Sequence, residues 1–161
     1  MALKRYKADA DTTIVNAFQP DMVTRGTGAN TGEADVLETF SIYARQTAGT
    51  STTSGSSELS RILIKFPISD ISTDRTNSVI PASGSVSFYL RMHNAQHSKT
   101  VPRDFKLIVS AISQSWQEGV GLDLEQYKDI TKGNIGTNWM SASNTAAWTE
   151  VGGDYLTASG D

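Results

Sequence analysis

Ser85-Val86-Ser87-Phe88-Tyr89-Leu90-Arg91-Met92 is the stretch on which the fold reading turns. A period of two places Val86, Phe88, Leu90 and Met92 on one face of an extended strand and Ser85, Ser87, Tyr89 and Arg91 on the other. That is the pattern of a half-buried antiparallel strand. The same period recurs on both sides of it. Phe105, Leu107, Val109 and Ala111 alternate with Lys106, Ile108, Ser110 and Ile112. In Arg61-Ile62-Leu63-Ile64-Lys65-Phe66 the alternation points Ile62, Ile64 and Phe66 inward, and Pro67 then removes the next ladder donor. No stretch of comparable length carries a helical stripe. The expected fold is all-β, an antiparallel, jelly-roll-like β-sandwich with long loops. Ile62, Ile64, Phe66, Val86, Phe88, Leu90, Leu107 and Val109 are expected to be buried between its two sheets.

Weaker strands precede these. Residues 3–8 and 12–18 read as short strands around the Asp9-Ala10-Asp11 corner, and residues 36–44 as another, with Val36, Phe40 and Ile42 on one face. Residues 19–33 hold Pro20, Gly26, Gly28, Asn30 and Gly32, turn-formers that imply a long loop. Residues 47–57 are almost all Thr, Ser and Gly. They have too little apolar surface to offset the ~1–2 kcal/mol per residue of backbone ordering, so an exposed, mobile hairpin tip is expected.

At 161 residues, with 38% hydrophobic and 19% charged side chains, the chain fits one soluble domain spanning residues 1–161, with a strand core at about 3–112 and an irregular segment at 113–161. A net charge of −3 supplies no basic stripe, so nucleic acid is not an expected partner. The absence of cysteine excludes disulfides, thiolate metal sites and a cysteine nucleophile. Lys4, Arg5 and Lys7 lead straight into Ala8-Asp9-Ala10-Asp11, without the ~7–15 apolar residues of a signal peptide, and no run approaches the ~18 of a membrane span. A protein made in the cytoplasm, without a membrane partner, is the expectation.

All three tryptophans, Trp116, Trp139 and Trp148, fall in the irregular segment. Either they plug one end of the sandwich, as large aromatics do, or one or two rings stand exposed as a platform for sugars. Trp116 is the structural candidate, whereas Trp139 and Trp148 are the candidates for glycan stacking. Catalytic patterns are poor: His93 and His97 lack a third ligand at metal spacing and an obvious nucleophile. Asp123, Glu125 and Asp129 cluster, as hard cations prefer, but without the spacing of a helix-loop-helix calcium site; solvated carboxylates are the plainer reading. No enzyme activity and no cofactor are expected.

Several segments occur in a suggestive order: Ala8-Asp9-Ala10-Asp11-Thr12-Thr13-Ile14, Asn30-Thr31-Gly32-Glu33-Ala34-Asp35-Val36-Leu37, Ser60-Arg61-Ile62-Leu63-Ile64-Lys65-Phe66, Ser85-Val86-Ser87-Phe88-Tyr89-Leu90 and Ser115-Trp116-Gln117-Glu118-Gly119. In that order they resemble the DNRLRE-type, disaggregatase-related β-sandwich domains, over roughly residues 8–155. Through Met1 to Asp11, Ser56-Ser57-Glu58-Leu59-Ser60-Arg61 and Trp116 to Asp129, the chain looks like stand-alone virion structural proteins of tailed bacteriophages. The resemblance implies a β-sandwich acting in a virion, as capsid decoration, neck, tail or fibre, with other copies of itself and other virion proteins as partners. A carbohydrate-binding module or adhesin, with a glycan partner, is the alternative. Domains of this type usually close with further strands after an Asn-Trp and Gly-Gly-Asp-Tyr region. Here the sandwich is completed differently, or the chain is a fragment, or a neighbouring subunit supplies the edge. An unpaired strand edge is a template for association.

Overall fold

The computed structural model describes residues 3–19, 21, 23–48, 52–82, 84–96, 104–122 and 136–156. Its regular elements are β1 (Ala10–Val15), β2 (Ser41–Ala48), β3 (Thr52–Lys65) and one helix, α1 (Ile68–Thr76). The strands form one three-stranded sheet in the order β1-β3-β2. β2 and β3 are an antiparallel hairpin running in unbroken register from Ser41↔Leu59 to Ala48↔Thr52. The fold is thus β-rich, with one three-stranded antiparallel sheet among the described residues.

The hairpin corrects the expectation for residues 47–57. Much of that tract is strand, because every residue from Ser41 to Ala48 has a ladder partner and the threonines are β-branched. Residues 36–40, expected as strand, lie outside it, as do residues 3–8. The helix is also a departure from the all-β expectation. It begins directly after Pro67, carries Asp70 in its first turn and Arg75 in its last, where each complements the helix dipole, and buries no side chain. Without a buried face it has no apolar stripe to read.

The chain gathers into two compact units, Met1–Asp9 with Lys65–Leu107 and Ala10–Ile64 with Ile108–Asp161. The second unit holds the main core, in which Ile14, Leu63, Trp139, Ala142 and Trp148 pack together with Leu59, Ile112 and Trp116 partly buried against them. β1 is covered on both faces, since Thr12, Thr13, Ile14 and Val15 are all buried. The buried backbone of Thr13 is satisfied by Thr31: the Thr13 amide donates to Thr31 Oγ1 at 2.9 Å, and Thr31 Oγ1 donates to the Thr13 carbonyl at 3.1 Å.

The expected core is largely displaced. In β3 the buried apolar residue among those described is Leu63, while Ile62 and Ile64, and Phe66 just beyond, are half-buried. The opposite face of the strand is covered, because Arg61 lies under the rings of Trp139 and Tyr155, each 4.9 Å from its guanidinium carbon. Val86 is half-buried, and Phe88, Leu90, Leu107 and Val109 are exposed, Phe88 to 57% and Val109 to 77%. The first unit buries Ile80 as its one buried apolar side chain among the described residues.

Candidate functional site

In the second unit, two of the segments that carry the resemblance, Asn30-Thr31-Gly32 and Glu118-Gly119, meet at one buried side chain, Asn30. Its Nδ2 donates to the carbonyls of Glu118 and Thr137, both at 2.7 Å. Its Oδ1 accepts from the amides of Gly32 at 3.1 Å and Gly121 at 2.9 Å. Both donors and both acceptor positions of the amide are used, which only a side chain with this dual character can do. Close backbone approach explains the surrounding glycines: a Cβ at Gly121 would collide with the Asn30 carbonyl oxygen, and one at Gly119, where φ is +91°, with the Asn30 side chain. Asn30-Thr31-Gly32 and Glu118-Gly119 therefore form a structural clasp that joins two loops distant in sequence.

Glu118 reaches the start of β1, where Oε1 accepts from the Asp11 amide at 2.7 Å. Burial raises the Asp11 carboxyl above its ordinary value, and the Glu118 charge beside it adds to the rise. Asp11 and Glu118 are two carboxylates; among the described residues no group of three or more His, Cys, Asp or Glu side chains is placed to hold a metal ion.

A second cluster ties the irregular C-terminal segment to β3. Arg61 donates through Nη1 to the Gly152 carbonyl while its plane sits against Trp139 and Tyr155. Trp148 donates Nε1–H to the Asn138 carbonyl at 2.9 Å, and the Trp139 amide donates to the Thr27 carbonyl at 3.0 Å. These contacts correct the sugar-platform expectation. Trp139 and Trp148 are 6% and 5% exposed, so their rings are core and offer no stacking face, while Trp116, expected to be buried, is the half-buried one. Burial follows from the Arg61 anchor and the indole hydrogen bond, neither of which shows as periodicity. Asp123, Glu125, Asp129 and His97 lie outside the described residues; His93 is exposed.

In the first unit, Asp74 on α1 accepts from Tyr6 Oη at 2.7 Å and pairs with Lys4 at 2.9 Å. Burial, then the hydrogen bond and charge of Asp74, push the Tyr6 phenol up to about 12, and the same hydrogen bonds hold Asp74 below the usual carboxylate range. The triad pins the N-terminal segment to the helix.

The first unit also carries an open apolar segment. Phe88, Tyr89, Leu90 and Met92 are 57%, 87%, 46% and 47% exposed. Among the described residues, no hydrogen bond is made to or from the backbone of residues 86–96. Arg75 approaches the Phe88 ring at 5.7 Å. Apolar exposure is thus clustered on a segment whose backbone donors and acceptors are open to water. This corrects the sequence expectation twice over: residues 85–92, read as a half-buried strand, belong to none of the strands among the described residues, because no neighbouring segment gives them ladder partners, and all their apolar side chains except half-buried Val86 are exposed. No helix among the described residues is long and apolar enough to cross a membrane.

No family model, curated protein or solved structure matches the chain.

Proposed function

We propose that this chain is a non-enzymatic virion structural protein of a tailed bacteriophage, a DNRLRE-type β-sandwich domain that works through protein–protein contacts with its own copies and with other virion proteins. The observation that carries this reading is the open segment at residues 86–96, where exposed Phe88, Tyr89, Leu90 and Met92 accompany a backbone without hydrogen-bond partners among the described residues. Such a segment gains most from a protein partner, which satisfies the backbone ladder and covers alternate side chains at once. The meeting of two resemblance-bearing segments, Asn30-Thr31-Gly32 and Glu118-Gly119, at the Asn30 side chain supports the family part of the reading, since it gives those two motifs a common structural reason. The glycan-binding alternative loses its candidate residues, Trp139 and Trp148, to the core.

The test is particle-level. Antibodies raised against the purified chain should label phage particles released from a bacterium carrying its gene, and mass spectrometry of gradient-purified particles should find it at a regular stoichiometry. A chain missing from such particles that binds a defined polysaccharide with micromolar affinity would overturn the proposal.

A further inference from the structure

We infer that residues 85–92 are a self-pairing edge. Two copies of this chain align the segment antiparallel about a two-fold axis passing at Tyr89, an inference that rests on the reading above that the protein acts through protein–protein contacts. In this register Val86 faces Met92, Ser87 faces Arg91, Phe88 faces Leu90, and Tyr89 faces its own copy. All four apolar members of the even-numbered face meet an apolar partner. Centring the axis on Phe88 instead sets Met92 against Gly84, and centring it on Leu90 sets Val86 against Asn94. The Tyr89 register is the one that keeps the face matched, and a symmetric pair is self-complementary by construction.

Charge agrees with this choice. Arg91 is the only charged side chain among residues 85–92. In the Tyr89 register each arginine lies opposite a serine, and the two sit four residues apart along the strands. That is about 14 Å, beyond the ~8 Å over which charges interact at physiological salt. Tyr89, on the axis, is 87% exposed in the single chain, and Phe88, Leu90 and Met92 flank it half-exposed. Pairing would give the open backbone of the segment its ladder partners and cover these side chains together. A strand pair of this length falls at or below the low end of the ~1,200–2,000 Å² of stable interfaces, so the dimer should dissociate on dilution.

The axis supplies the test. Tyr89→Lys and Tyr89→Glu each set like charges directly opposite one another, which destabilises a strand pair. The site is exposed, so neither variant should alter the melting temperature of the dilute chain. By sedimentation velocity, the wild type should dimerise with rising concentration. Each variant should need at least ~10-fold more protein to do so, and an equimolar mixture of the two should recover most of the wild-type behaviour.

Tyr89→Cys gives a second measurement in a chain with no cysteine of its own. Opposed residues in an antiparallel pair are ~4.5–5.5 Å apart at Cα, within disulfide reach, so mild oxidation should cross-link copies through residue 89. A wild type that stays monomeric overturns the self-pairing. So does a dimer indifferent to both charges, or one that Tyr89→Cys fails to cross-link. A monomeric chain that is nevertheless found in purified particles would sink the self-pairing and leave the virion reading standing; a Tyr89-dependent dimer absent from particles would do the reverse.

Discussion

Asn30 shows how much a single side chain can hold when its hydrogen-bonding capacity is fully used. It is 2% exposed, and its amide joins four backbone groups. Asn30→Asp keeps the shape and replaces the donor with an oxygen facing two carbonyls. Leaving those carbonyls unpaired at ~1–3 kcal/mol each, the variant should lose at least about 2 kcal/mol in urea unfolding. A variant that unfolds at the wild-type midpoint would mean the clasp is dispensable. Asn30, Gly32, Glu118 and Gly119 could be picked out in the sequence as members of recurring motifs, but their contacts could not, because Asn30 and Glu118 are 88 positions apart and no local period links them. Asp11 adds a pH signature at the same junction. Its carboxyl is raised in the folded state, so the folded protein holds that proton more tightly than the unfolded chain, and stability from this group falls as pH rises from the unfolded value of 3.8 through the raised one. Asp11→Asn should therefore melt above the wild type at pH 7 and converge with it near pH 3; equal melting temperatures at both pH values would show that the rise has no consequence for folding.

At the scale of elements, β3 shows where periodicity succeeds and where it stops. Its existence and its end at Pro67 are plain from Ile62, Ile64 and Phe66, whereas the choice of buried face is not. The other face, with Arg61 and Leu63, is covered by Trp139 and Tyr155, which arrive more than 75 residues later, and Arg61 is an arginine turned to packing use. Leu63→Ala should accordingly cost ~2–5 kcal/mol. The expected weight of Phe88 is inverted: at 57% exposure, Phe88→Ala in the dilute chain should stay within about 0.5 kcal/mol of the parent. Urea unfolding of the two variants side by side decides the matter, and a larger loss for Phe88 than for Leu63 would restore the original phase. The β2–β3 hairpin is legible at its base, in residues 41–44 and 61–65, and not between, because a ladder of main-chain bonds needs no apolar side chains, and α1 leaves no trace because it buries none of its residues.

For the molecule as a whole, the decisive contrast is the unequal distribution of burial. The second unit packs Ile14, Leu63, Trp139, Ala142 and Trp148 into one cluster, and all three tryptophans belong to it, so tryptophan fluorescence reports on that unit alone. The first unit has Ile80 buried among its described residues, a helix without a buried face, and residues 86–96 without backbone hydrogen bonds. Amides open to water exchange fastest, and those in strands under a packed core exchange slowest. Hydrogen–deuterium exchange on the dilute chain should therefore find the strongest protection in β1 and in β3 from Glu58 to Ile64, with residues 86–96 exchanging at the earliest labelling time. As protein concentration rises, protection should appear at residues 86–92 and leave β1 unchanged, because association orders only the segment that lacked partners. Uniform protection of both regions in the dilute chain would mean that residues 86–96 already find their hydrogen bonds within one copy, and the segment would then have no need of a second.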